Sequence, residues 1–245
     1  MYSFTSRVRY SECDEHAQLS LVSLVNYLQD CSTFHTESLG LGIDFMASNH
    51  FAWLLAAWQI EVLRLPRFCD DIVVGTWCYD MSRTLAKRNF SICAPDGTPY
   101  VQADSLWFTF DTQTQRPCRI PDSERAYLTD EPRMDMPETH RKLEVAGTPR
   151  VGTPIVVSEQ NLDTNGHVNN AQYVLMAEQA VEDTGHLSAP MRICVQYRMQ
   201  AHLGDVLVPT VHEQDGTRTV VLADEGGEAY TVVSFAPLAP ALALS

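Results

Sequence analysis

Residues 158–173 read SEQNLDTNGHVNNAQY, and residues 14–20 read DEHAQLS. At a constant offset, Asp14-Glu15-His16-Ala17-Gln18-Leu19-Ser20 matches Asp163-Thr164-Asn165-Gly166-His167-Val168-Asn169, and an apolar helical pattern follows each stretch. A stretch that recurs at long range with the same neighbours marks a duplicated unit. Asn165-Gly166 is a turn signal, because both residues tolerate positive φ, and Asn169 or Asn170 can cap the helix that follows. The second stretch gathers Asp163, Asn165, His167, Asn169 and Asn170 around one glycine, more polar side chains than a cap requires. A helix N-terminus offers unpaired N–H groups and the positive end of a dipole, an environment that favours developing negative charge.

Outward from the first stretch, Tyr2–Tyr10 alternates as a strand. After it, Leu21, Leu24, Val25, Leu28, Cys31 and His35 fall on one face of a helix that Gly40 and Gly42 end. Strands are expected before Pro66 and over Ile72–Tyr79, Thr84–Cys93 and Tyr100–Asp111, with Pro95-Asp96-Gly97 as the hairpin turn between the last two. The second stretch has the same neighbours. A strand is expected over Arg150–Val157, then a helix over Asn169–Thr184 with Val174, Ala177 and Val181 on one face. Strands follow at Arg192–Met199, Val206–Glu213, Thr217–Ala223 and Ala229–Phe235. A helix followed by an antiparallel run of strands is an α+β pattern, not βαβ alternation. The boundaries expected are residues 1–120 for the first domain, a proline-rich linker over 121–149, and 150–245 for the second domain.

Composition narrows the function class. Net charge is −14, which argues against nonspecific nucleic-acid binding. No apolar run approaches the roughly 18 residues of a membrane span. The N-terminal MYSFTSRVRYSECD has neither a signal-peptide nor a transit-peptide pattern. Seven cysteines at scattered positions, without a CxxC, fit reduced thiols in a cytoplasm. No zinc-ligand spacing and no glycine-rich phosphate loop is found, so no metal or cofactor is expected.

The run NLDTNGHVNNAQYV resembles the catalytic loop of acyl-acyl-carrier-protein thioesterases, within the wider hotdog-fold group. LVNYLQDCSTFH, FAWLLAAWQIEVLRLPRFCDDIVVGTW and VQYRMQAHLGD resemble further segments of that family, in the same order and over nearly the whole chain. The resemblance implies two tandem hotdog domains, each an antiparallel sheet wrapped round a long central helix. It implies hydrolysis of a fatty acyl thioester on the phosphopantetheine arm of an acyl carrier protein, in the bacterial branch, by the chain alone or as a homodimer. Asp163, Asn165 and His167 take the family's catalytic-loop places. Plant members carry a Glu and then a Cys shortly after a Tyr-Arg pair; after Tyr197-Arg198 this chain has Gln200 and Ala201 there. A cysteine nucleophile and a carboxylate base at those positions are excluded, which leaves a water mechanism centred on His167 with Gln200 orienting by hydrogen bonds.

His167 is then expected as general base, Asn165 as holder of water or thioester, and Asp163 as the group that orders the loop and supports the histidine charge. N–H groups near Val168 are expected to receive the oxyanion. Leu24, Leu28 and Trp53 are expected to line the acyl chain, because the first half holds all four tryptophans and the more apolar helix. Some hotdog thioesterases carry a catalytic carboxylate on the central helix, the alternative for Glu178 on the second helix, which reads first as a salt-bridged or hydrated residue at the sheet edge. Basic residues such as Arg67, Lys87, Arg88 and Arg150 read as solvated charges that could form a docking patch for the carrier. An acyl-CoA thioesterase, a hydratase and an acyl-binding protein without turnover are the alternatives; the Asn165/His167 loop speaks against the last.

Overall fold

Strand β1 (Tyr2–Arg7) alternates between half-buried and exposed residues, the mark of a strand covered on one face. The computed structural model it belongs to describes residues 1–182 and 187–238. The chain divides into two units, Met1–Gln59 with Leu65–Arg141, and Ile60–Arg64 with Lys142–Ser245.

In the first unit, helices α1 (Leu21–Ser38) and α2 (Ile43–Ser48) follow β1. The strands after them are β2 (Phe51–Val62), β3 (Asp71–Met81), β4 (Ala86–Cys93), β5 (Pro99–Asp111) and the short β6 (Arg116–Cys118). Strand order is β1-β3-β4-β5-β2, with β6 beside β5; the β1–β3, β3–β4, β4–β5 and β5–β6 pairs are antiparallel. Ser20 caps α1 by accepting from the Ser23 N–H at 3.4 Å. All six residues read as one helical face, from Leu21 to His35, are buried, and α1 packs on β1, β3 and β4. Leu24 and Leu28 are completely buried, so each contributes about 1.5–3 kcal/mol by leaving water. Gly97 at φ +87° makes the β4–β5 turn, with the Thr98 N–H on the Asp96 carboxylate at 2.9 Å.

The second unit holds β7 (Thr148–Val151), β8 (Ile155–Val156), α3 (Asn170–Val181), β9 (Met191–Tyr197), β10 (Val206–Gln214), β11 (Thr217–Ala223) and β12 (Ala229–Pro237). The order is β9-β12-β11-β10-β7, each neighbour antiparallel, with β8 also on β10. Helix α3 lies on β10, β11 and β12 through Ala171, Val174, Ala177 and Val181. Its expected end at Thr184 falls outside the described residues. The strand expected over 150–157 is two short strands, since Pro154 between them has no N–H to donate.

The proline-rich stretch read as a linker is not free chain up to Arg141, where it belongs to the first unit. Asp122–Tyr127 forms a 3-10 helix with Glu124 and Tyr127 buried. Beyond it, the Trp77 Nε1–H donates to the Pro132 carbonyl at 3.0 Å and the Gln59 amide to the Pro137 carbonyl at 2.6 Å. The Met134 N–H donates to Asn89 Oδ1 at 2.9 Å, and the Thr139 hydroxyl to the buried Asp104 carboxylate at 2.7 Å. Side chains of the sheet thus satisfy a backbone that its prolines keep out of any ladder.

Candidate active site

A one-turn 3-10 helix, Glu159–Asn161, leads into the polar loop, and the Asn161 side chain closes that turn by accepting from the Ser158 N–H at 2.9 Å. Asp163 then organises the reversal. Its Oδ1 accepts from the N–H of Asn165 at 2.8 Å and of His167 at 3.2 Å. Its carbonyl accepts from Gly166 at 3.1 Å, and its own N–H donates to the His167 carbonyl at 2.7 Å. Gly166 sits at φ +74°, a conformation that a residue without Cβ adopts freely. Asn169 caps α3, its Oδ1 accepting from the Ala171 N–H at 2.9 Å.

This loop is fastened to the segment after β9. The Val168 N–H donates to the Ala201 carbonyl at 2.9 Å, and the Ala201 N–H donates to the Tyr173 hydroxyl of α3 at 2.9 Å. Burial pushes that phenol up to about 12, so it stays neutral at physiological pH. Gln200 is thereby placed next to a residue bonded to the polar loop. Asn165 and Gln200 are exposed and His167 is half-buried; among the described residues, no hydrogen bond involves the side-chain amides of Asn165 and Gln200 or the His167 ring. The ring that does meet His167 is His202, at 4.9 Å between centroids and 73° between planes.

Two features differ from the expectations. The Val168 N–H is already engaged by Ala201, as the Asn169 N–H is by the Asn161 carbonyl at 2.8 Å, so these groups are not free donors for an oxyanion. The Asp163 carboxylate orders the loop but makes no hydrogen bond to the His167 ring, because its Oδ1 faces the backbone N–H groups.

The first stretch builds the same loop. Tyr10–Glu12 forms the preceding 3-10 turn. Asp14 Oδ1 accepts from the N–H of His16 at 2.9 Å and of Gln18 at 2.8 Å, and the Asp14 N–H donates to the Gln18 carbonyl at 2.8 Å. The Leu19 N–H donates to the Pro66 carbonyl at 2.9 Å, as Val168 does to Ala201. Ala17 takes the turn at φ +56° where the second loop has glycine.

Of the residues assigned to the acyl chain, Leu24 and Leu28 are core residues on the sheet face of α1. Trp53 is half-buried, its indole N–H on the buried Glu124 carboxylate at 2.8 Å and its ring 6.3 Å from Tyr127. A groove of about 360 Å³ in this unit, lined by Met81, Arg83, Arg119, Ile120 and Arg125, includes none of them. Arg88 is not a solvated charge: it is 7% exposed, its guanidinium 3.0 Å from His35 Nδ1 and 5.1 Å over the Tyr127 ring. Burial first, and Arg88 second, pull the His35 imidazole down to about 4. Glu178 is half-buried on α3. Among the described residues, no cluster of acids, cysteines and histidines could hold a metal, and no helix is long and apolar enough to cross a membrane.

The family model for the acyl-ACP thioesterase N-terminal domain matches residues 1–128, and the model for the acyl-ACP thioesterase C-terminal domain matches residues 151–233. The chain belongs to the acyl-ACP thioesterase family. The oleoyl-acyl carrier protein thioesterase 1, chloroplastic, of Arabidopsis thaliana is 26% identical over 235 residues, covering 86% of this chain. The chain spans 64% of that relative's length. Two solved structures share the fold at 22% identity, each alignment covering 96% of both chains. They are an acyl-ACP thioesterase from Bacteroides thetaiotaomicron, with a TM-score of 0.81, and a 12:0-ACP thioesterase from Umbellularia californica, with a TM-score of 0.79. The two α+β units, each with a helix laid on an antiparallel sheet, are the tandem hotdog fold that the resemblance implied.

Proposed function

We propose that this chain hydrolyses the thioester between a fatty acyl group and an acyl carrier protein, releasing free fatty acid and the carrier thiol. The observation that carries the reading is the Asp163–His167 loop, its backbone held by the Asp163 carboxylate while, among the described residues, the Asn165 amide and the His167 ring are left without hydrogen-bond partners. His167 takes a proton from water as the water oxygen attacks the acyl carbon. The carbonyl becomes an oxyanion, the C–S bond breaks on its collapse, and the imidazolium returns the proton to the departing thiolate. With the Val168 N–H engaged, the oxyanion and the water are left to the side-chain amides of Asn165 and Gln200.

Cysteine chemistry has no support at this site. Position 201 is alanine, and burial pushes the Cys194 thiol on β9 up to about 11, leaving little thiolate to act as nucleophile. Within the first unit, the half-buried Trp53 is the residue we assign to the acyl chain, since Leu24 and Leu28 are completely buried in the core. A cytoplasmic site of action belongs to the same proposal.

Free-thiol release from acyl-carrier-protein and acyl-CoA series of varied chain length tests the reading. Higher kcat/KM on the carrier-bound series is expected. Preference for acyl-CoA would move the assignment to the other thioester class, and no release from either would leave an acyl-binding protein.

A further inference from the structure

A histidine base needs one ring nitrogen aimed at the water, and in most sites a carboxylate or carbonyl on the other nitrogen fixes that aim. The base proposed above has no such partner. Asp163 turns its Oδ1 to the backbone N–H groups of Asn165 and His167, and among the described residues no hydrogen bond reaches either nitrogen of the His167 ring. A ring on a half-buried loop residue without an orienter would sample several χ2 angles, of which few suit proton transfer.

We propose that His202 is the positioning residue for His167, holding the catalytic imidazole in its working orientation by ring-to-ring contact. The rings meet edge to face at 4.9 Å and 73°, the geometry that aromatic pairs prefer. The backbone beneath His202 is held from three sides. Its own N–H donates to Asp205 Oδ2 at 2.8 Å, a carboxylate that also accepts from the Tyr230 hydroxyl at 3.3 Å. The neighbouring Ala201 donates its N–H to the Tyr173 hydroxyl and accepts the Val168 N–H. The Val168–Ala201 bond joins the residues next to the two histidines, so it sets the spacing of the rings. The inference rests on His167 being the base, and it explains how positions 200 and 201 can do without a carboxylate.

The test compares His202→Ala, His202→Phe and His167→Ala in the full chain, with thiol release from an acyl carrier protein substrate resolved into kcat and KM. His202 is exposed, so its variants should melt with the parent. Losing the contact should lower kcat about 3- to 10-fold with KM unchanged, and His202→Phe, which keeps a ring but no proton, should recover most of that loss. Parent-like kcat in His202→Ala, beside a His167→Ala that has lost activity, overturns the positioning role. Equal loss in His202→Ala and His202→Phe overturns it too, in favour of proton transfer by His202 itself. Near-full activity in His167→Ala instead removes the base assignment.

Discussion

The Asp14–Gln18 and Asp163–His167 loops have the same backbone and different side chains. In both, one aspartate gathers two N–H groups, a 3-10 turn precedes, and a capped helix follows. What they share is what builds the loop: the aspartate, the apolar residue whose N–H crosses to a neighbouring segment, and the Ser20 or Asn169 cap. What they do not share is the outward-facing pair, His16 and Gln18 against Asn165 and His167. The scaffold therefore does not require Asn165 and His167, and their presence in one loop alone is the reason the proposed chemistry is assigned to that loop.

The most damaging way to erase that difference is to write the first loop's letters into the second. Asn165→His with His167→Gln should keep the fold and lower thiol release by about 10²–10⁴-fold, the usual loss of a general base. Parent-like release would mean that the loops do not differ in function. Removing the shared aspartate separates scaffold from chemistry. Asp14→Ala and Asp163→Ala should each lose about 1 kcal/mol in urea melts, as capping side chains do. Only Asp163→Ala should also lose rate, about 10²-fold from misplacement of the reacting groups.

A smaller effect should distinguish the first unit by pH. Folded His35 titrates near 4 rather than at its ordinary 6.5. Between those values the unfolded chain binds a proton that the folded chain refuses, so this contribution to stability is complete above pH 6.5 and falls away as pH drops toward 4. His35→Gln should flatten that part of the stability–pH curve; an unchanged slope would reject the cause. Smallest is the turn itself. Ala17 holds a left-handed φ of +56° that costs an L-residue about 1–2 kcal/mol, so Ala17→Gly should raise stability by about 1 kcal/mol after the flexibility of glycine is counted. A loss of stability would mean that the turn is not strained.

Much of this could be read in the sequence because the signals are local. The spacing from Leu21 to His35 gave the α1 face, the Pro95-Asp96-Gly97 signal is the β4–β5 turn with Gly97 at φ +87°, and the letter match located both loops. The strap over residues 132–139 could not be read, since its partners are Trp77, Asn89 and Asp104, far along the chain. Arg88 was legible and misread. It shares the inward face of β4 with Ala86, Phe90 and Ile92, a period of two that outweighs the habit of placing arginine in water. The one local signal for His202 is its place directly after Gln200 and Ala201; its contact with His167 is not local, since it follows from the bond between Val168 and Ala201.

The most direct measurement is thiol release by His167→Ala beside Cys194→Ala, on the same acyl carrier protein substrate and with acyl binding checked in each. The account predicts that His167→Ala binds but falls about 10²–10⁴-fold in rate while Cys194→Ala stays active. Near-full activity in His167→Ala, or a dead Cys194→Ala together with an acyl-enzyme trapped on Cys194 of the parent, would contradict it.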